Sequence, residues 1–404
     1  MRRVAITGIG VLSGIGSTRE EFWNSLRAGR PGFAPITLTD CSQIRFRNGA
    51  EVRGFRATDH FGERQTDFMD RFAQFAVVAA REAVRDSGIQ WTDALRESTA
   101  IVTGSCVGGQ TSEDASYVEL YRVGRGRVHP LTIPRIMANA GASHISMDLH
   151  ISGPTFTIST ACASAAHAIG QAFGMVRSGA SEMAIAGGSE APFTFGMLKA
   201  WEAMRVVSAD TCRPFSYERN GMILGEGAAM LVLEPLEAAV ARGAHIYAEM
   251  SGIGMSSDAS HLTQPSPLGA ARAMRAALAD AGLSPEQIGY VNAHGTATQA
   301  NDAAEASAIH LVFGERTSKL PVSSTKSMHG HALGAAGALE AAATVLALDR
   351  GWLPPTANFA TRDPECDLDV IPNAAREEQA GAALSNSFAF GGLNAVLAFR
   401  ARRA

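Results

Sequence analysis

Short runs rich in Val, Ile and Ala alternate along this chain with longer stretches whose apolar residues recur every three to four positions. The short runs, bounded by Gly, Asn or Asp, predict strands over residues 3–9, 100–103, 155–158, 183–186, 229–233, 247–254, 288–292, 321–323, 383–387 and 395–399. The longer stretches predict helices over 20–28, 69–87, 163–178, 235–242, 268–281, 303–313 and 336–349. This alternation argues for α/β layering. No Pro/Ser-rich linker interrupts it, so any domains must pack closely.

The pattern repeats. Residues 80–104 run helix, Asp-Ser-Gly, strand, Thr-Gly; residues 275–295 run helix, Asp-Ala-Gly, strand, His-Gly. Residues 158–179 and 323–351 each run strand end, Ser-Thr, helix, Gly. Two blocks recurring in the same order predict a duplicated fold with halves at 1–242 and 243–404. A pseudo-twofold axis would set the Ser-Thr corner that ends in Cys162 across a cleft from the one that ends in Lys326.

Composition narrows the class. The 404 residues are 46% hydrophobic with 41 Gly, enough for a large core. A net charge of −4 argues against general nucleic-acid binding. No apolar run is long enough to cross a bilayer, and MRRVAITGIG enters a strand without the apolar segment of a signal peptide. Five cysteines, at 41, 106, 162, 212 and 366, are odd in number and unpaired in spacing, which predicts a reduced, cytoplasmic protein. Lysine occurs only at 199, 319 and 326, so Lys326 stands out among arginines. The Arg-rich stretch 121–127 reads as a solvated loop or as a patch for an acidic partner.

Four segments look built around side-chain chemistry. In ISTACASAAHAIG (158–170) a strand runs into a helix with Cys162 at the junction, where unpaired N–H groups and the helix dipole are expected to favour the thiolate. VNAHGTATQAND (291–302) ends a strand at His294. SSTKSMHGHALGAAG (323–337) gathers Lys326, His329 and His331. LSNSFAFGGLN (384–394) ends a strand in a Phe-Gly-Gly turn at Phe390. The spacing of His329 and His331 lacks the Cys or carboxylate companions of a zinc site, so no metal is predicted.

These motifs, together and in this order over essentially the whole chain, resemble the condensing enzymes: β-ketoacyl-[acyl carrier protein] synthases of the type II, elongating group. Within that group the match is nearest to the rhizobial nodulation ketosynthases, through the segments 201–205, 210–214 and 366–370 and His329. The resemblance implies a thiolase-like fold, a five-layered α-β-α-β-α sandwich of two βαβαβαββ halves. It implies a decarboxylative Claisen condensation of acyl and malonyl carrier proteins, with Cys162 as nucleophile. The backbone N–H groups of Cys162 and Phe390 would form the oxyanion hole, and His294 and His331, both neutral, would donate to an enolate. Lys326 would order the histidines, with Glu340 and Asp302 tethering Lys326 and its surroundings. Thr296 and Thr298 would grip a phosphopantetheine arm, Val107 would line the acyl tunnel, and Phe390 would gate entry of the extender. Arg64, Arg71, Arg125, Arg127 and Arg205 would meet an acidic carrier protein. No cofactor of the protein's own is implied, because phosphopantetheine arrives on the carrier. Relatives are dimers, so a homodimer is expected, with an unlike ketosynthase-like partner as the alternative. Leu393, in place of the usual Thr, and Cys106 in the pocket loop bear on acyl selectivity. Two other readings share the fold: a thiolase-type enzyme acting on CoA esters, and a non-catalytic chain-length partner, whose relatives typically lack the cysteine. A scaffold without chemistry is the third.

Overall fold

The computed structural model describes residues 1–402. Its first half lays down the strands β1 (Val4–Ser13), β2 (Thr99–Gly104), β3 (Thr155–Ile158), β4 (Met183–Glu190) and β5 (Gly227–Pro235). Its second half lays down β6 (Ala248–Ser257), β7 (Tyr290–Asn292), β8 (Pro321–Ser323), β9 (Ala382–Ala389) and β10 (Leu393–Ala401). Outward from the middle, the first half is ordered β1-β5-β4-β2-β3 and the second β6-β10-β9-β7-β8. The order is the same, and so is the sense of every pairing: β2 is parallel to β3 and β4, as β7 is to β8 and β9. The strands β1 and β5 are antiparallel, as are β6 and β10.

The two half-sheets are joined where Val4–Ile6 of β1 pairs antiparallel with Ala248–Met250 of β6. Hydrogen bonding therefore makes one eleven-stranded sheet, closed at its far edge by a short strand at Asp369–Val370. Helix α1 (Arg71–Ser87) covers the outer face of the first half-sheet, capped by Asp70 at its start and by Gly88, at φ 65°, at its end. Helix α3 (Pro267–Ala281) covers the second half, and α4 (Gln299–Phe313) packs beside it. Between the half-sheets lie α2 (Ser164–Ser178) and α5 (Ala336–Arg350). The result is the expected five-layered, thiolase-like sandwich.

The central layer explains the Ala- and Gly-rich composition. A helix with a sheet on either side has no solvent face, and α5 is buried without interruption from Ala336 to Leu348. Small side chains let both sheets approach. A Cβ on Gly170 of α2 would stand 1.7 Å from Ile253 Cδ1 of β6, and one on Gly337 of α5 would stand 2.9 Å from Ala166 N. The charged side chain inside that buried stretch is Glu340, which pairs with Lys326.

Candidate active site

Three strand ends and one turn meet in a cavity of about 220 Å³. Cys162, His294, His331 and Phe390 all line it, as do Thr296 and Thr298.

Cys162 follows β3 in a tight turn before α2. Ala161 takes φ 47°, a left-handed conformation unfavourable for a residue with a Cβ, and this turns the thiol into the cavity. The N–H groups of Phe390 and of Cys162 itself face the sulfur. Burial pushes the thiol up to about 11, against the lowering effect of the Lys326 charge and those N–H groups. The expectation of a depressed pKa from the helix start is thereby corrected. The first helical residue is Ser164, and the N–H groups of Ala163 and Ser164 are already bonded to Thr160 O (3.1 Å) and Ala161 O (3.1 Å). What remains of the helix-end field does not match the desolvation of a thiol on a residue only 7% exposed.

Both histidines are buried, and burial followed by the Lys326 charge holds each well below the ordinary imidazole range, so both are neutral. Their hydrogen-bond partners select one tautomer. Lys326 Nζ lies 3.1 Å from His294 Nδ1, and an ammonium only donates, so Nδ1 accepts. Nδ1 of His331 accepts the Leu333 N–H at 3.1 Å. The proton of each ring therefore sits on Nε2. The rings stand nearly perpendicular, 88° apart, with centroids 5.5 Å from each other.

Lys326 lies behind this pair, fully buried, donating to the His294 carbonyl oxygen (2.7 Å) and to Glu340 Oε1. Burial raises Glu340 to about 7. Of the expected tethers, Asp302 holds the neighbouring structure and Glu340 holds Lys326. Asp302 accepts from the Phe215 N–H (2.8 Å) and the Ala297 N–H (3.2 Å), holding Ala297 at φ 63° between the two threonines. The Thr296 and Thr298 hydroxyls are 2.9 Å apart.

The Phe390 turn depends on Gly391 (φ 83°) and Gly392 (φ 68°), conformations that suit glycine. The Phe390 ring stacks on Trp201 at 6.3 Å, and the Gly391 N–H donates to Leu262 O at 2.7 Å, tying the turn to the loop at the cavity mouth.

Other expected residues fall elsewhere. Val107 is not among the lining residues of this cavity; its N–H points at Glu190 (3.4 Å). Cys106 packs against the apolar cluster that contains Trp201 and Leu333. Arg71 is turned inward, its guanidinium bonded to buried Glu226 and to the Val52 carbonyl and lying over Phe55 and Phe75, so it offers little charge to a docking partner. Arg64, Arg127 and Arg205 are exposed, and Arg125 is exposed but paired with Glu119 at 2.7 Å. Arg205 adjoins the cavity through Met204 and Trp201.

Two carboxylates that sequence reading passed over support the site. Glu305 accepts the N–H groups of His294 (2.9 Å) and Gly295 (2.8 Å) and the amide of Asn386 (3.1 Å); burial raises it to about 6. It stands three residues after Asp302 on α4, so helical spacing puts both on one face. Glu190 accepts from Ser105 and from the Cys106 and Gly334 N–H groups, joining the 105–107 loop to the His331 loop. Among the described residues no cluster of His, Cys, Asp and Glu is arranged to hold a metal ion.

A duplicated five-layer fold with a thiol and two neutral imidazoles on one cavity, and an ammonium buried behind the imidazoles, is the arrangement of a condensing enzyme. The description "Beta-ketoacyl synthase, N-terminal domain" matches residues 1–239 and "Beta-ketoacyl synthase, C-terminal domain" matches residues 247–360. The chain belongs to the β-ketoacyl synthase family, whose members are acyltransferases that form carbon–carbon bonds. It is 48% identical to nodulation protein E of Rhizobium sp. (strain N33), over 99% of each chain. It is 41% identical to 3-oxoacyl-[acyl-carrier-protein] synthase 2 of Staphylococcus aureus (strain N315), over 99% of this chain and 98% of that one. The ishigamide ketosynthase/chain length factor structure superposes with a TM-score of 0.95 at 39% identity, covering all of both chains.

Proposed function

We propose that residues 1–242 and 243–404 form two halves that jointly carry out a decarboxylative Claisen condensation between an acyl and a malonyl thioester, both on carrier proteins. Cys162 sulfur, as thiolate, attacks the acyl carbonyl; the oxyanion is met by the N–H groups of Cys162 and Phe390, and the carrier thiol leaves with a proton. Malonyl thioester then loses carbon dioxide, and the electron pair left behind is held as an enolate by the Nε2–H groups of His294 and His331. That carbanion attacks the acyl-Cys162 carbonyl, and the sulfur leaves as thiolate. The observation that carries this reading is the shared tautomer. Two uncharged rings both present N–H donors to the cavity that holds the thiol, an arrangement suited to developing negative charge rather than to abstracting a proton.

Lys326 fixes the tautomer of His294, and Glu340 balances its charge. Thr296 and Thr298 suit the polar arm of phosphopantetheine, and Phe390 stands where a second acyl group must pass. Exposed Arg64, Arg127 and Arg205 suit an acidic carrier. No cofactor of the protein's own is needed for this chemistry, because both substrates arrive as thioesters. Five free cysteines support a reducing, cytoplasmic compartment, and among the described residues no helix is long and apolar enough to cross a membrane. Strand β3 is a half-buried edge strand with unpaired backbone on one side, which supports pairing with a second copy. Likeness to the ishigamide ketosynthase/chain length factor structure supports an unlike partner as the second reading.

The test combines the purified protein with acyl- and malonyl-carrier protein. The expected result is a 3-oxoacyl product with an equivalent of carbon dioxide. Absence of product with every acyl length and with either partner arrangement rejects the proposal, and condensation of acetyl-CoA with no carrier favours the thiolase-type reading.

A further inference from the structure

His329 is a third buried imidazole, two residues before His331 and behind the cavity lining, and the chemistry above makes no use of it. It closes the short helix Lys326–His329 and has no measurable exposure. Both of its ring nitrogens are engaged. Nδ1 lies 2.8 Å from the carbonyl oxygen of Gly330, which can only accept, so Nδ1 carries the proton. Nε2, left with its lone pair, lies 3.0 Å from the Thr325 hydroxyl and accepts from it. The same hydroxyl oxygen accepts from Asn292 Nδ2 at 3.4 Å. This tautomer is the opposite of the one held by His294 and His331.

The bond to Gly330 matters because of what that carbonyl belongs to. The peptide between Gly330 and His331 is gripped at both ends. Its oxygen accepts from the His329 Nδ1–H, and its N–H donates to Ile223 O at 2.7 Å. Gly330 itself sits at φ 72° and ψ −178°, a conformation that suits glycine, and its N–H donates to Lys326 O at 3.0 Å, which leaves the carbonyl side of the joint to the His329 bond. A Cβ there would meet Ala50 Cβ and the Ile223 and Leu224 carbonyls at 3.1 Å, so the position is also tight against a larger residue. At its other nitrogen the ring reaches Asn292, two residues before His294. One hydrogen-bonded chain, Gly330 to His329 to Thr325 to Asn292, thus spans the two segments that present the Nε2–H donors.

We propose that His329 is a positioning residue that fixes the peptide from which His331 projects and ties it to the strand end that carries His294. Burial, with the Lys326 charge second, pushes this ring down to about 3, so it stays neutral and keeps one donor and one acceptor throughout the working range. The role rests on the proposed donation from His331 to an enolate, and it touches only the half-reaction that makes one. Transfer of an acyl group to Cys162 relies on the N–H groups of Cys162 and Phe390 instead.

The experiment measures both half-reactions in the full-length protein: acyl loading of Cys162 by mass, and carbon dioxide release from malonyl-carrier protein. His329→Ala is expected to lower carbon dioxide release by about ten- to a hundredfold, the scale of a sub-ångström to ångström misplacement, with acyl loading changed less than about twofold. His329→Asn places an amide N–H where Nδ1 was and is expected to restore most of the loss. His329→Gln reaches toward Thr325 but not Gly330, and is expected to restore little. Equal rates for the Ala, Asn and Gln variants, or parallel losses in both half-reactions, overturn the proposal. Should the Ala variant fail to fold, the Asn-to-Gln ratio decides alone. His331→Ala separates the two readings. If it still releases carbon dioxide at the wild-type rate, the proposed enolate donation fails and this proposal with it; if it loses release while the His329 series stays flat, only the positioning role fails.

Discussion

Lys326 holds His294 at two points: its ammonium donates to the backbone carbonyl at 2.7 Å and lies 3.1 Å from Nδ1 of the ring. One cation thereby sets where the residue sits and which nitrogen keeps the proton. Glu340, on the central helix, makes a fully buried ion pair with the same ammonium.

Breaking that pair on one side leaves an uncompensated charge in the core. Lys326→Ala is expected to destabilise the fold by about 3–5 kcal/mol, whereas an apolar replacement of both Lys326 and Glu340 costs distinctly less. Denaturant melts of the single and double variants measure the difference; equal losses would contradict the burial argument.

Removal of either donor should hit one half-reaction. His294→Ala and His331→Ala are each expected to slow carbon dioxide release by about a hundredfold or more, the usual cost of one preorganised donor. Loading of Cys162 should survive in His331→Ala. Cys162→Ala should take no acyl group at all, as read by intact-protein mass.

The raised thiol makes a prediction about pH. With Cys162 at about 11, the thiolate fraction in the empty pocket rises with each step in pH across the neutral range. Alkylation of Cys162 by iodoacetamide should therefore accelerate about tenfold per pH unit between pH 7 and 9, and a flat profile would mean a depressed thiol after all.

Glu305 gives a stability signature of opposite practical sense to a surface carboxylate. Its folded value, about 6, lies above the ordinary 4.5, so the protonated form is the one favoured by folding. Its contribution is complete below pH 4.5 and is lost as pH rises through 6. Relative to Glu305→Gln, the wild type should lose about 2 kcal/mol over that window, from the usual 1.36 kcal/mol per pKa unit. Paired melts at pH 4.5 and 7 test it. Glu305→Ala strands the His294 and Gly295 N–H groups and is expected to cost about 1–3 kcal/mol per group.

Most of the architecture was readable from spacing, and two of the missed helices share a cause. Predicted helices at 69–87, 163–178, 268–281 and 336–349 all stop at a left-handed glycine: Gly88, Gly179, Gly282 and Gly351. The helices Ala140–Leu149 and Phe195–Met204 escaped notice, and they end instead at His150 (φ 53°) and Arg205 (φ 57°), which carry no stop signal in sequence. In the site, side chains that face the cavity announced themselves through Gly-rich turns. Glu190 did not, because its donors come from two segments remote from each other. Arg71 shows the converse limit, since nothing local tells an outward guanidinium from one folded over Phe55 and Phe75.

The alanine layer has one more implication. Cys162 precedes α2, and His331 precedes α5, so the gap between the thiol and the imidazole is gauged by how closely two slender rods nest. Methyl groups act there as shims. A single added branch at Gly337, which already abuts Ala166, would jack the halves apart and retune the reaction from a place no substrate ever visits.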